Sequence, residues 1–307
     1  MTNAPMLPKK PSCPICGSER IRTRCRIGQY EIYRCGRCRV GFVSPQPNAD
    51  ELATLYSPAY FDSYADVGCE GLRPALEKEF ERKLDLLEQR VEHRGSLLEI
   101  GCGPGYFLRA ARQRGWAAQG VDVSAEVAAR AREYSGAPVH AGSIQAAGLT
   151  EGTFDAVVMW ATIEHLANPT RTLIEAYRML RRGGMIQLDT GLIDDIVGRL
   201  EPGYSAWFRP PEHLFFFTRK SIRTALGFAG FVDVEITTDI WLPRWRFVIH
   251  RIAKTARQLV RIARDPRRFF SAGTARAKDG TIMYVSARRP RGRSRGGAVG
   301  AIDTRQR

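Results

Sequence analysis

The sequence predicts an α/β protein, a doubly wound sheet preceded by a small cysteine-bearing ribbon. Three observations predict it. An apolar run, Leu97-Leu98-Glu99-Ile100, breaks into a glycine-rich turn, Gly101-Cys102-Gly103-Pro104-Gly105, and a helical pattern starts at Tyr106. A second short apolar run, Ala118 to Val121, ends on an acid, Asp122. Two C-x2-C pairs, Cys13/Cys16 and Cys35/Cys38, stand near the N-terminus, eighteen residues apart.

Glycine is needed where φ must be positive, or where backbone must approach a ligand with no Cβ in the way. Strand, glycine-rich turn and helix, in that order, form the nucleotide-cradling corner of a doubly wound sheet. The spacing is G-x-G-x-G, which differs from the dinucleotide G-x-G-x-x-G. Alone, it is also compatible with a tight turn that holds no ligand. An acid at the tip of the second strand can accept hydrogen bonds from both hydroxyls of a ribose, or it can cap the next helix.

Together, Glu99 to Gly105 and Asp122 resemble the class I S-adenosylmethionine (SAM)-dependent methyltransferases. In that family E/D-x-G-x-G-x-G follows the first strand and an acid ends the second. The resemblance covers residues 75–290. It implies a seven-stranded Rossmann-like methyltransferase sheet with SAM as cofactor. It also implies cofactor contacts from Glu99, Gly101, Gly103, Gly105, Asp122, Val123, Ser143, Ile144 and Trp160. In the family the turn after the third strand often carries an Asp for the adenine amine, and here Ser143 holds that place.

At 307 residues, the chain has room for one large domain and a small one. Its 44% apolar and 26% charged content is ordinary for a globular protein. No apolar run reaches the length of a membrane span, and Met1 to Lys10 lacks an apolar signal core, so a cytoplasmic location is expected. The formal charge of +15 is uneven, with much of it in residues 244–307. In a cytosolic enzyme, clustered cysteine pairs indicate a metal and not disulfides.

Residues 1–48 read as a zinc ribbon. Each C-x2-C pair sits in a turn with Gly or Pro, so Cys13, Cys16, Cys35 and Cys38 can point at one Zn²⁺. Four thiolates around Zn²⁺ leave a local charge of about −2, which nearby Arg20, Arg22, Arg24, Arg34, Arg37 and Arg39 offset. So short a segment buries little core and needs the metal to stay folded. Gln29 to Arg34 alternates as a strand, and Gly41 to Asn48 reads as a stiff linker.

Residues 49–95 read as a helical lead-in. Tyr56, Tyr60, Phe61 and Tyr64 either pack it or line a substrate mouth. Leu76, Phe80, Leu84, Leu87 and Val91 recur at helical spacing, which predicts a helix over one edge of the cofactor site. The core, 96–290, continues with a helix at Ala125 to Tyr134, a strand and turn at Val139 to Ile144, and a buried strand at Phe154 to Trp160. Thr170 to Arg182 reads as a helix stopped by Gly183-Gly184, and Met185 to Thr190 as the next strand. Thr218 caps a further helix. The last strands are Phe231 to Thr237 and Thr281 to Ala287, and the family resemblance places the latter antiparallel between its neighbours.

Trp245 to Phe270, within an insertion at about 240–278, reads as a helix with one apolar and one arginine-rich face. Such a helix either lies on an anionic membrane surface or docks on the domain with a solvated cationic face. Residues 291–307 are rich in Gly and Arg and read as a disordered tail.

Of two Glu-His pairs, Glu212-His213 carries the most chemical interest, with His213 either catalytic or structural, while His165 either acts directly or only orients its loop. Glu164-His165 follows the buried strand, in a stretch similar to the E-H-x-x-x-P of small-molecule methyltransferases. Glu212-His213 lies in an insertion at 191–217. An imidazole beside a carboxylate at a pocket mouth can take a proton near neutral pH. Glu212 to Thr218 is similar to the E-H-x-x-[YF]-F-[ST] motif of deoxysugar C-methyltransferases, which also carry an N-terminal zinc-binding domain. That resemblance implies catalytic roles for His213 and Glu212. Those enzymes carry a larger C-terminal domain for which this chain has no room.

The chain has neither a [DNS]-P-P-[YFW] signature nor a Pro-Cys nucleophile, which disfavours a nucleic-acid base as substrate. The expected function is therefore SAM-dependent methylation of a small molecule: a sugar, a glycan precursor or a specialised metabolite. An RNA methyltransferase that uses the ribbon and basic regions is the second reading, and a non-catalytic binding module the third.

Overall fold

The computed structural model describes residues 11–48, 51–52, 55, 69–194, 207–239 and 281–292. The expected basic helix, the aromatics from Tyr56 to Tyr64 and the tail beyond residue 292 lie outside the described residues.

The N-terminal part contributes strands β1 (Ile21–Ile27), β2 (Tyr30–Cys35) and β3 (Gly41–Val43), paired antiparallel in that order. After helix α1 (Cys69–Glu88), β4 (Ser96–Ile100), α2 (Tyr106–Gln113), β5 (Ala117–Asp122), α3 (Ala125–Ser135) and β6 (Val139–Ala141) alternate. Then follow β7 (Phe154–Met159), α4 (Pro169–Met179), β8 (Leu180–Leu192), β9 (Phe215–Phe216), α5 (Arg219–Phe228), β10 (Val232–Asp239) and β11 (Thr281–Arg288).

Seven strands make the central sheet, in the order β10-β11-β8-β7-β4-β5-β6. β4 runs parallel to β5 and β7, while β11 is antiparallel to both β8 and β10. The order reverses at β4, the switch point at which ligands of doubly wound sheets bind. Both faces are covered, because successive strand residues point to opposite sides. Leu97 and Val158 pack with Phe107, Leu108 and Ala111 of α2. Leu98 and Val157 pack with Leu173 and Ala176 of α4 and with Ile222 and Ala225 of α5. Each fully buried leucine contributes about 1.5–3 kcal/mol.

Local chemistry starts the helices where it should. Ser124 caps α3 by accepting from the Val127 amide, and Asn168 caps α4 by accepting from that of Arg171. Thr218 and Ser221 form a reciprocal capping box on α5.

Several boundaries differ from the sequence reading. Glycines 183 and 184 do not cap a helix: α4 ends at Met179, and β8 has already begun at Leu180, which pairs with Phe154. Leu180 is extended (φ −68°, ψ 140°), so the glycines form a bend inside the strand. α1 ends before Val91.

Gly41 to Val43 is a strand and not linker. β3 also pairs with β9, in register Gly41 with Phe216 and Phe42 with Phe215. The N-terminal sheet thus takes its fourth strand from the segment that follows β8. Phe208 and Phe216 stack at 4.5 Å and share a cluster with Ile32 and Val43. No helix among the described residues is long and apolar enough to cross a membrane.

Candidate active site and cysteine centre

β4 delivers Glu99 and Ile100 to the glycine turn. Gly101 has φ +73°, and a Cβ there would lie 2.5 Å from the Thr162 methyl, so neither the backbone nor the space admits a side chain. Its amide donates to the Val121 carbonyl at 2.8 Å. The Asp122 carboxylate accepts from the amides of Gly103 (2.9 Å) and Ser124 (3.0 Å), which joins the turn to the tip of β5. Burial raises the pKa of Asp122 and raises that of Glu99 well above the usual carboxylate range. Glu99 Oε2 is buried and meets no hydrogen-bond partner among the described residues. Val123 is 69% exposed at the lip of this corner. The Ser143 hydroxyl accepts from the Ala146 amide, whereas the Ile144 side chain is buried in the core.

Beyond β7 the site holds buried charge. Lys83 of α1 pairs with Asp189 of β8 at 2.8 Å, and both side chains are almost wholly buried. The Lys83 ammonium also lies 4.6 Å from the Trp160 ring, a cation–π contact. Asp189 accepts from the amide of Ala161, which is held at φ +46°. The Tyr284 hydroxyl donates to Glu79 at 2.8 Å, and Glu79 reaches Lys83 at 4.0 Å.

The segment after β8 crosses this region. A Cβ on Gly191 would lie 2.1 Å from the Trp207 ring, so the indole is seated directly on the strand. His213 Nδ1 lies 2.7 Å from the Trp207 carbonyl, and His165 Nδ1 lies 2.8 Å from that of Glu212. A carbonyl can only accept, so both Nδ1 atoms donate and each Nε2 keeps its lone pair. The two imidazoles meet edge to face, with centroids 4.8 Å apart.

Burial pushes the pKa of His213 down to about 3 and that of His165 to about 4. Glu164, on the same short turn as His165, is pushed up to about 8 by burial. Glu212 and His213 do not form a dyad. The Glu212 carboxylate pairs with Arg209 at 2.6 Å, while the His213 ring turns to the Trp207 carbonyl. Adjacent residues on an extended segment face opposite ways, and the structure shows that separation here.

Cys13, Cys16, Cys35 and Cys38 lie together, with every sulfur within 4.8 Å of the others. Cys13 and Cys38 approach to 3.5 Å, and Cys16 and Cys35 to 3.6 Å. A tetrahedral Zn²⁺ with bonds of about 2.3 Å needs sulfurs about 3.8 Å apart. The amides of Arg37 and Cys38 donate to Cys35 Sγ, as a knuckle around a thiolate requires. The contact with Cys38 pulls the pKa of Cys13 down to about 5, and the same contact pushes that of Cys38 up. Without a cation the thiols can only share their protons; the donor set fits a bound metal. Cys25 stands apart in β1, with its pKa raised by burial.

Residues 72–236, over half of the chain, match a family described as a methyltransferase domain. The chain belongs to the methyltransferase-domain family.

A malonyl-[acyl-carrier protein] O-methyltransferase of Enterobacter lignolyticus is 30% identical over 149 residues, which is 48% of this chain and 59% of the relative. A ubiquinone biosynthesis O-methyltransferase of Pseudomonas aeruginosa is 32% identical over 115 residues, 35% of this chain and 50% of the relative. The matches thus span little more than half the length of these curated relatives. A Thermotoga maritima SAM-dependent methyltransferase, described as a possible histamine N-methyltransferase, superposes with a TM-score of 0.47 at 19% identity, covering 72% of this chain and 95% of its own.

SAM, the cofactor the family implies, carries a sulfonium and an ammonium. The methyltransferase domain fits it on its own chemistry. Among the described residues, Glu99, Asp122, Glu164 and Asp189 are buried with Lys83 as the cation that reaches Glu99, Glu164 and Asp189, and an oxygen of Glu99 meets no hydrogen-bond partner. Such a site is short of positive charge.

Sequence reasoning missed Lys83 and Asp189. A signal for each existed: a lysine on the apolar face between Phe80, Leu84 and Leu87, and an acid inside the apolar run Met185 to Thr190.

Proposed function

We propose that this methyltransferase domain transfers a methyl group from SAM to a small molecule: a sugar, a glycan precursor or a specialised metabolite. The observation that carries this reading is the cation-poor carboxylate cluster at the ends of β4, β5, β7 and β8, crossed by the segment bearing His213. The relatives are named O-methyltransferases, which favours oxygen as the accepting atom.

Bound SAM supplies the electrophilic methyl group. Gly101, Gly103 and Gly105 let the backbone come close to it. Glu99 receives the ammonium, and the unused lone pairs of Asp122 receive the ribose hydroxyls. Val123, Ser143 and Ile144 border the adenine, the last through its backbone. Trp160, held by Lys83, floors the methionine end. His213 offers a neutral Nε2 to the acceptor, and Glu212 supplies the nearby negative charge. Zn²⁺, on four cysteines with no open position, is structural and keeps the N-terminal sheet folded.

Methyl-labelled SAM with a metabolite-rich lysate tests the substrate class. Label is expected in the water-soluble or lipid small-molecule fraction, and to be lost with His213→Ala. Label confined to RNA, and indifferent to that change, overturns the reading. Gly101→Val is expected to weaken binding of S-adenosylhomocysteine by about five- to thirtyfold by calorimetry, since an L-residue in the left-handed region costs about 1–2 kcal/mol and the turn relaxes away from its present shape. Unchanged affinity would remove the turn from the cofactor site.

A further inference from the structure

We propose that Glu164, His165 and His213 form a second metal site, one that takes a divalent transition-metal ion beside the acceptor region. One donor atom from each residue lies within 4.8 Å of the other two. Tetrahedral bonds of about 2.0–2.1 Å put donors of one ion about 3.3–3.4 Å apart, so side-chain shifts of at most about 1.5 Å close the site.

Three features prepare these side chains for a metal. Both imidazoles donate Nδ1–H to backbone carbonyls, His165 to Glu212 and His213 to Trp207. That second hydrogen bond fixes the ring and leaves the Nε2 lone pair as the ligand, the arrangement metal-binding histidines use. Glu164 is only 2% exposed, and its one polar side-chain contact among the described residues is the neutral Thr190 hydroxyl, so no cation balances it at contact distance. A carboxylate so placed costs several kcal/mol to keep ionised, and an ion bound to it removes that cost. The supporting carbonyls belong to the segment that Trp207 seats on Gly191, so the cluster is braced from both sides.

Two imidazoles and one carboxylate suit Zn²⁺, Fe²⁺, Co²⁺ or Mn²⁺ in preference to Mg²⁺ or Ca²⁺. Three protein ligands leave coordination positions open, unlike the closed cysteine set. An acceptor hydroxyl could ligate there, which would lower its pKa and release its proton to solvent. With the ion bound, the His213 Nε2 lone pair serves the metal, and the ion takes over from that nitrogen the activation of the acceptor; this role rests on the methyl-transfer reading, and the binding of the ion does not.

The test uses the full chain. Metal-free protein is given one equivalent of Zn²⁺ to fill the cysteines, and Co²⁺ is then titrated. One further Co²⁺ per chain is expected, with d–d absorption and no thiolate charge-transfer band. Glu164→Gln, close in shape, is expected to bind it at least about tenfold more weakly while keeping the zinc. His213→Gln should behave alike, but that ring is buried and the variant could misfold. Pulsed EPR of Cu²⁺ bound to the zinc-loaded wild type therefore reads imidazole nitrogens directly. No metal beyond the zinc equivalent, Co²⁺ retained by Glu164→Gln at wild-type affinity, or a Cu²⁺ spectrum without imidazole overturns the proposal. Calorimetry with SAM on the same samples reports the methyl-transfer reading separately.

Discussion

Lys83→Met is expected to lower the unfolding free energy by about 3–5 kcal/mol, read as a shifted urea midpoint at saturating zinc. The lysine pairs with Asp189 at 2.8 Å inside the protein, and its ammonium covers the Trp160 ring. Removing it leaves Asp189 as a buried charge whose remaining hydrogen-bond partner among the described residues is the Ala161 amide, with Glu164 in its field, and the change takes the same cation from Glu79 and Glu99. Methionine replaces the aliphatic stem, so the loss reads the charge and not a cavity. The double change Lys83→Met with Asp189→Asn is expected to recover over half of the loss. The carboxamide introduced by the second change keeps an oxygen for the Ala161 amide and carries no charge. A loss under about 1 kcal/mol for the single change would mean that water reaches this pair.

On the proposed zinc reading, removing the metal from the cysteine centre, or changing Cys35→Ser, is expected to release two distant stretches together. Structural zinc supplies about 10–16 kcal/mol in small cysteine-bearing folds, far more than the three short strands here can supply by burial. β3 pairs with β9, and Phe42 packs among Leu214, Phe215 and Phe217. Loss of the N-terminal sheet therefore takes away the partner of the segment that presents His213. Hydrogen exchange should rise at least about a hundredfold in peptides covering residues 30–43 and 213–217, while peptides of β4 and β7 keep their protection. Methyl transfer should fall in parallel. Unchanged exchange at 213–217 would show that the segment holds its place through Trp207 and Gly191 alone.

Much of this molecule was legible because its signals are local. The glycine turn from Gly101 to Gly105, the acid at the end of β5 and the caps at Ser124 and Thr218 each depend on φ/ψ limits and hydrogen bonds within a few residues. Alternation and helical spacing located most strands of the central sheet and α1, although β8 starts at Leu180, before the strand read from Met185, and α1 starts at Cys69, before the spacing read from Leu76. The paired C-x2-C motifs likewise carried their own geometry, and their sulfurs meet. Gly183-Gly184 misled for the opposite reason. A glycine pair reads as a stop signal locally, but pairing of Leu180 with Phe154, a contact across the sheet, starts the strand before the glycines arrive.

The sequence by itself determined the doubly wound class, the glycine turn joined to Asp122 and the cysteine cluster, since each is written within one short stretch or a repeated spacing. Only the tertiary structure decided which charges are partners. Lys83 and Asp189 are 106 positions apart and meet because α1 lies against the sheet at β8. Glu212 and His213 are neighbours in sequence, yet one turns to Arg209 and the other to Trp207 and His165. Side-chain direction on an extended segment, and the desolvation that selects a partner for each buried charge, arise only when distant elements pack.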